Sequence, residues 1–440
     1  MDLASLFAKH VAHVQGVYEN ALNDLSKEGK HLEAVLVYSG TEGVYFADDE
    51  HISFRTYGHF RWWLPIERPE QMVLFQPGKK PVYFQVIRPD FWYEQTVVNE
   101  AWWLQQFDLV SLEAPEEVMD HLPRTRRIGF LGDNTEFASQ MGLPSNLQNE
   151  RNLSNYLDFY RGMKTDYEVE MIREANRMAI RGHQAAYDAF AAEGSEFDIH
   201  KAFLAANQML EHDSPYTNIV GLDEKGAILH YQHKRRNVGP GSKVLLIDAG
   251  CRKNGYCSDI TRTYARDSAH PVFRDMVRQM DELTLHLVQQ AKVGTPYITL
   301  QEAAHEGVLN ILMSQKIVKG NREALVDAKI SSLFFPHGIG HLLGLQVHDV
   351  GGFFSNDHGK LAPPPEEHRF LRLNRKMEDG MVFTIEPGLY FIPVLLNPER
   401  ETEKGKMIDW DVVDALTPHG GIRVEDNILV TKTGAVNLTR

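Results

Sequence analysis

Cysteine is almost missing from these 440 residues: there are two, Cys251 and Cys257. That is too few for a disulfide framework in a chain of this length. Their Cys-x5-Cys spacing is not a usual zinc pair, and no second pair exists to complete such a site. Both are read as free thiols of a reducing compartment. Long apolar runs are missing too. No stretch approaches the ~18–20 residues of a membrane span, so no membrane partner is expected. The N-terminus carries Asp2 and an amphipathic pattern, without the basic-then-apolar order of a signal peptide. A cytoplasmic location is the expectation. Positive charge is in deficit, with 46 Lys plus Arg against 60 Asp plus Glu and a net charge of -14. Such a surface repels a polyanion. The one dense basic cluster, Lys234-Arg235-Arg236, reads as a solvated loop, and no nucleic-acid partner is expected.

What is present is an ordinary globular profile, 43% hydrophobic and 24% charged, long enough for two domains. Apolar positions at Leu3, Leu6, Phe7, Val14, Val17, Ala21 and Leu25 recur at helical spacing, and Gly29 is a plausible stop. Ala34–Tyr38, Met72–Phe75, Pro81–Ile87 and Arg127–Leu131 read as strands. Together they predict a mixed α/β domain over residues 1–155. It holds five of the six tryptophans, at 62, 63, 92, 102 and 103, and the adjacent Trp62 and Trp63 could not both face inward on a strand. A second domain is expected over 160–440. It begins with a long helix from about Asp166 to Ala192, ended by Gly194-Ser195. Short strands near 244–247 and 381–385 then alternate with helices near 272–292 and 299–314. The fold class is α/β (α+β).

Five residues in this second half stand at the ends of apolar strand-like runs or in a His-rich segment. Asp248 closes Val244-Leu-Leu-Ile-Asp248, and Glu386 closes Val382-Phe-Thr-Ile-Glu386. Asp259 lies in Tyr256-Cys-Ser-Asp259, Glu425 in Ile422-Arg-Val-Glu425, and His341 in His337-Gly-Ile-Gly-His341. A carboxylate behind a buried β-branched run is costly unless something neutralises it. Four of them sharing a pocket call for cations, and two divalent ions would balance the charge. Oxygen-rich ligation with one imidazole suits manganese, cobalt or zinc.

With their flanks, these five positions resemble the metal site of the pita-bread metallopeptidases, the family of methionine aminopeptidase, aminopeptidase P and prolidase. Arg161-x-x-Lys164-Thr-x-x-Glu168 and His341-Leu-Leu-Gly-Leu-Gln-Val-His348-Asp349 are similar to the aminopeptidase P and prolidase branch. The length and the N-terminal domain most resemble the bacterial prolidases that include organophosphorus acid anhydrolases. Phe46-Ala-Asp48-Asp49, Trp63-Leu-Pro65, Pro89-Asp-Phe-Trp92 and Pro215-Tyr216-x-Asn218 carry that likeness. Thr56–Arg61 departs from the family's pattern at the expected outer wall of the pocket.

The resemblance implies a C-terminal pita-bread catalytic domain that cleaves Xaa-Pro dipeptides, with possible side activity on organophosphate triesters. It implies two divalent ions per subunit, most plausibly Mn2+, with Co2+ or Zn2+ as alternatives. Asp248, Asp259, His341, Glu386 and Glu425 would be the ligands. Glu386 would also shuttle the proton, and His348 and His337 would complete the catalytic set. His230, Arg372, Arg423, Tyr216 and Tyr297 would line the substrate pocket, with Arg423 favoured as a support for Glu425. Tyr231 is a further aromatic candidate for the pocket wall. Relatives are homodimers, so Asp49 and Trp92 would reach the pocket from a partner subunit. Two alternatives stay open: an aminopeptidase P acting on longer peptides, and a pita-bread module that binds without chemistry.

Overall fold

A computed structural model describes every residue except Met1, Arg126 and Gly239. The chain divides into two compact units. The first runs through Arg161 and also takes in Thr165–Glu168 and Ser355–Lys360; the second takes the rest.

The first unit opens with α1 (Leu3–Lys27), whose N-terminal amide on Ser5 is accepted by the Asp2 carboxylate at 2.8 Å. Gly29 ends it in the left-handed region at φ 82°. Five strands follow: β1 (Ala34–Tyr38), β2 (Met72–Phe75), β3 (Val82–Val86), β4 (Asp108–Leu112) and β5 (Ile128–Leu131). They form one mixed sheet in the order β4-β3-β2-β1-β5, parallel at its two outer pairings. Every residue of β1 is buried, as its central place requires.

Trp62 and Trp63 are both buried, and the reason is helical. They end the short α2 (Gly58–Trp63), so neighbouring side chains can share one interior with Tyr18 and Phe75. The divergent segment Thr56–Arg61 is therefore largely interior to this unit. His59 meets Asp158 at 3.0 Å, and Arg61 pairs with Glu67. A side chain at Gly58 would lie 2.8 Å from the Arg161 guanidinium. After α3 (Thr135–Gln140), α4 (Arg151–Arg161) carries the chain to the division between the units.

Helix α5 (Asp166–Ala191), in the second unit from Val169 on, does not stop on a left-handed glycine. Glu193 takes that conformation at φ 63°, and Ser195 instead caps the next helix, α6 (Glu196–Ala206), in a reciprocal box with Asp198. Strands β6 (Ile219–Leu222), β7 (Val244–Asp248), β8 (Arg252–Lys253), β9 (Tyr256–Cys257) and β10 (Thr261–Ala265) come next. Helices α7 (Pro271–Gln290) and α8 (Ile298–Ser314) then pack on each other. The last strands are β11 (Val382–Ile385), β12 (Gly388–Tyr390), β13 (Gly421–Arg423), β14 (Asp426–Thr431) and β15 (Gly434–Asn437). All pairings here are antiparallel: β10-β7-β6, β11-β14-β15, β12-β13 and β8-β9.

Register decides where chemistry gathers. Asp248, last in β7, lies opposite Thr261 of β10 and Ile219 of β6. Ile385, just before Glu386, lies opposite Asp426, just after Glu425. Thr263 of β10 exchanges two 3.0 Å hydrogen bonds with the Arg423 backbone, joining the separate ladders beside these strand ends.

Candidate metal centre

Four elements deliver the centre. Asp248 ends β7; Asp259 sits between β9 and β10; Glu386 follows β11; Glu425 joins β13 to β14. His341 arrives on a segment that runs beside β11 as an extra strand. Its amide donates to Thr384 Oγ1 at 3.1 Å, and the Thr384 amide donates to its carbonyl at 3.0 Å. Glycine at 340 is obligatory on that segment. At φ 157° an added Cβ would stand 2.3 Å from the Thr384 carbonyl and 2.4 Å from the Tyr297 hydroxyl. The Tyr297 ring is fully buried against Phe383, and its hydroxyl donates to the Thr384 carbonyl.

The five expected ligands come together. Donor atoms of Asp259, His341 and Glu425 all lie within 4.8 Å of one another. His341 Nε2 is 3.3 Å from Asp259 Oδ2 and 3.8 Å from Glu386 Oε1. Its Nδ1 donates to the Leu342 carbonyl at 3.0 Å, which leaves Nε2 facing the carboxylates. Thr261 Oγ1 donates to Glu425 Oε2 at 2.7 Å. The Tyr216 hydroxyl lies 2.7 Å from Asp248 Oδ1 and 2.6 Å from Asp259 Oδ1. One phenolic proton cannot serve two carboxylates.

The electrostatics carry the same shortage of positive charge. Burial, then the neighbouring Asp259, raise Asp248 to about 6. Glu386 rises to about 7, chiefly through burial. Burial, with Asp259, Glu386 and Asp248, pushes Glu425 well above the usual carboxylate range. Asp259 alone goes down: burial opposes it, and the His341 hydrogen bond and charge outweigh that. Three buried carboxylates and the half-buried Glu386 face one arginine and one histidine, so the donor set fits divalent cations that would supply the missing charge.

Arg423 supports the centre directly at Asp248 and, through the Thr261 hydroxyl, at Glu425. It is buried, and its Nη2 donates to Asp248 Oδ2 at 2.7 Å rather than to Glu425. Its Nε donates to Thr261 Oγ1 and its Nη1 to the Tyr390 hydroxyl, both at 3.0 Å. With its fork turned onto these partners, it is a support of the centre and not a receptor for a substrate carboxylate. Tyr390 escaped the sequence reading. It accepts from Arg423 and donates to His337 Nε2 at 2.8 Å, while His337 Nδ1 donates to the Gly338 carbonyl. Burial first, then Arg423, hold His337 down to about 3, so it is neutral. The only signal for Tyr390 was its place four residues past Glu386.

His348 is exposed, with its ring 4.3 Å from that of His341. One side of the ring is turned from water all the same, and that partial desolvation first, then His341, Arg372 and more weakly His230, bring it to about 4. That places the exposed His230 and Arg372 within electrostatic reach of the centre. Asp349, next to His348 in sequence, meets Lys164 at 2.9 Å in a buried ion pair. Tyr231, considered for the pocket wall, turns its hydroxyl to Glu196 at 2.8 Å. Asp49 and Trp92 belong to the first unit and are exposed there. Asp49 lies in a turn bridged by Val44 and His51, and Trp92 stacks near Phe91.

Residues 170–432 match the sequence profile of Metallopeptidase family M24, and residues 5–159 match that of the Xaa-Pro dipeptidase N-terminal domain. The chain belongs to metallopeptidase family M24. It is 42% identical to the Xaa-Pro dipeptidase of Pseudoalteromonas atlantica, over all of this chain and 98% of that one. It is 38% identical to that of Aeromonas hydrophila, over 99% and 98%. Among solved structures it is similar to aminopeptidase PepP of Pseudomonas aeruginosa, with TM-score 0.71 and 21% identity over 97% of this chain and 94% of that one. Aminopeptidase P from Escherichia coli with the inhibitor Pro-Leu gives TM-score 0.71 and 22% identity over the same shares. These structural likenesses show the fold: a mixed α/β unit followed by the pita-bread unit expected from sequence. M24 membership also makes the centre a divalent-metal site, in keeping with its donor set.

Proposed function

We propose that this chain is a metal-dependent Xaa-Pro dipeptidase that hydrolyses the prolyl amide. The observation that carries the reading is the convergence of buried Asp248, Asp259, His341 and Glu425 with the half-buried Glu386. The full-length likeness to Xaa-Pro dipeptidases supports the substrate class. Two divalent cations held by these side chains would supply Lewis-acid chemistry, polarising a carbonyl and acidifying water. Oxygen-rich ligation favours Mn2+.

The protein's own groups do the rest. Glu386 takes the proton of the attacking water and returns it to the prolyl nitrogen, which has no hydrogen of its own. Neutral His348 offers an N–H to the developing oxyanion. His230 and Arg372 receive the free C-terminal carboxylate, with Tyr216 along the wall. The exposed apolar patch of the first unit, Tyr45, Phe46, Phe91, Trp92 and Tyr93, suits burial against a second copy of the chain. In such a homodimer Asp49 meets the substrate amine and Trp92 closes the partner's pocket. The two free, buried thiols suit a cytoplasmic protein, and among the described residues no helix is long and apolar enough to cross a membrane.

Three substrates assayed side by side with the Mn2+-loaded protein test the reading: Gly-Pro, an Xaa-Pro-Xaa tripeptide and a phosphotriester. Preferred cleavage of Gly-Pro is expected, with a slow phosphotriester side reaction. Faster cleavage of the tripeptide would make the chain an aminopeptidase P.

A further inference from the structure

The sequence left one cluster unused, Lys234-Arg235-Arg236, and the structure gives it a purpose. Glu196, the first residue of α6, is fully buried. Its carboxylate is surrounded by five hydrogen-bond donors. Oε1 accepts from the Leu222 amide at 3.0 Å and from Arg235 Nε and Nη2 at 3.0 and 2.7 Å. Oε2 accepts from the Tyr231 hydroxyl at 2.8 Å and the Arg235 amide at 2.6 Å. The Arg235 carbonyl takes the Phe197 amide at 3.2 Å, and the Arg236 guanidinium covers the Phe197 ring. Lys234, left-handed at φ 50°, makes the turn that brings these contacts together. The loop from Tyr231 to Arg236 is thus fastened to the start of α6, and His230 is its neighbour in sequence.

Helix capping does not explain a carboxylate at this position. The reciprocal box of Ser195 and Asp198 already caps α6. A buried ion pair adds little net stability over an apolar replacement, but it fixes geometry through directed bonds. Its position relative to the metal centre is informative. Leu222 ends β6, whose first residue, Ile219, lies opposite Asp248. The Tyr231 ring shares a small apolar cluster with Ile219, Leu246 and Tyr390, and the Tyr390 hydroxyl stands between His337 and Arg423. One carboxylate therefore ties helix, strand and the His230 loop to the same frame that holds the ligands.

We propose that Glu196 is a positioning residue for substrate: through Arg235 and Tyr231 it latches the loop that presents His230 to the dipeptide's terminal carboxylate. This rests on the reading of His230 as a substrate contact. Glu196→Gln keeps the shape but turns an amide N–H toward donors, so the latch loosens. Two measurements on the full-length, metal-loaded protein test it. KM for Gly-Pro is expected to rise about tenfold, the worth of one charge-assisted hydrogen bond, with kcat within about twofold and bound metal unchanged. Trypsin is expected to cut after Lys234–Arg236 faster than in the parent.

In a His230→Ala background, Glu196→Gln should then raise KM no further. Additive effects in the double variant, a loss confined to kcat, or unaltered trypsin cleavage would each overturn the proposal. If His230→Ala alone leaves KM unchanged, the substrate role of His230 fails and the positioning role falls with it. Faster trypsin cleavage of Glu196→Gln would then still separate that outcome from the absence of a latch. Should Glu196→Gln not fold, Arg235→Lys keeps the charge and loses the two-pronged bond. It should raise KM by a smaller factor, about threefold, with the same dependence on His230; no change there would also count against the latch.

Discussion

Removing the metal should alter stability in a way whose pH dependence is set by the centre itself. Asp248 is raised from 3.8 to about 6 and Glu386 from 4.5 to about 7, burial being the first cause of each. A shift of about two units is worth about 3 kcal/mol for each group, and because the two face each other their effects do not simply add. The sign follows from which form the fold prefers. With the folded pKa above the unfolded one, the neutral acid is favoured in the folded state. That stability is present below about pH 4 and is lost as pH climbs through 6 and 7. The metal-stripped protein should therefore lose stability from this source between about pH 4 and 7. The loaded protein should not, because cations keep the same carboxylates ionised and compensated. The gap in Tm between loaded and chelated protein should widen by several degrees across that range, at roughly 2–4 °C per kcal/mol. Thermal unfolding at pH 5, 6, 7 and 8, with and without a chelator, measures it. A gap that stays constant or narrows with rising pH would refute the charge-deficit account of the centre.

Three substitutions probe its parts. Asp259→Asn removes the carboxylate that faces both His341 and Tyr216; bound metal by elemental analysis and Gly-Pro hydrolysis should both collapse, and survival of the two would end the two-metal reading. Tyr390→Phe leaves His337 Nε2 and Arg423 Nη1 each short of a partner. It should cost about 1–3 kcal/mol of transition-state stabilisation, a ten- to hundredfold fall in kcat/KM with metal content unchanged. Lys164→Met strips Asp349 of its buried ion-pair partner. A loss of about 3–5 kcal/mol in urea unfolding is expected, and a loss under 1 kcal/mol would contradict the burial of that pair.

The ligands were legible because their cost is local. A carboxylate that closes a run such as Val244–Ile247 announces its own cost, and four carboxylates at the ends of or within such runs announce a shared remedy. The strands and long helices were legible for the same reason, since periodicity is a property of neighbours in sequence. Supports were harder to see. Tyr390 and Thr261 matter through partners 33 to 164 residues away, and nothing in their immediate flanks separates them from core residues. Arg423 stands two residues from Glu425, yet it reaches that carboxylate through the Thr261 hydroxyl, while its direct bond goes to Asp248. Strands β13 and β7 belong to separate ladders, and the guanidinium reaches from β13 across to Asp248 at the end of β7.

The end of α5 and the Trp62-Trp63 pair show a second kind of limit. Glycine favours a left-handed stop, yet here Glu193 takes that conformation, and Ser195 caps the next helix. Two adjacent tryptophans exclude an inward-facing strand, but not the six-residue helix that buries both. In each case a local rule was sound and the element that used it was not the obvious one. The basic cluster at 234–236 follows the same logic. Charge in a loop is usually solvated, and only the buried carboxylate of Glu196, 39 residues earlier, turns Arg235 from a surface cation into part of the frame around the centre. What a one-dimensional reading misses here is therefore of one kind: side chains whose worth lies wholly in a distant partner. Residues that hold chemistry in place belong to that kind more often than residues that perform it.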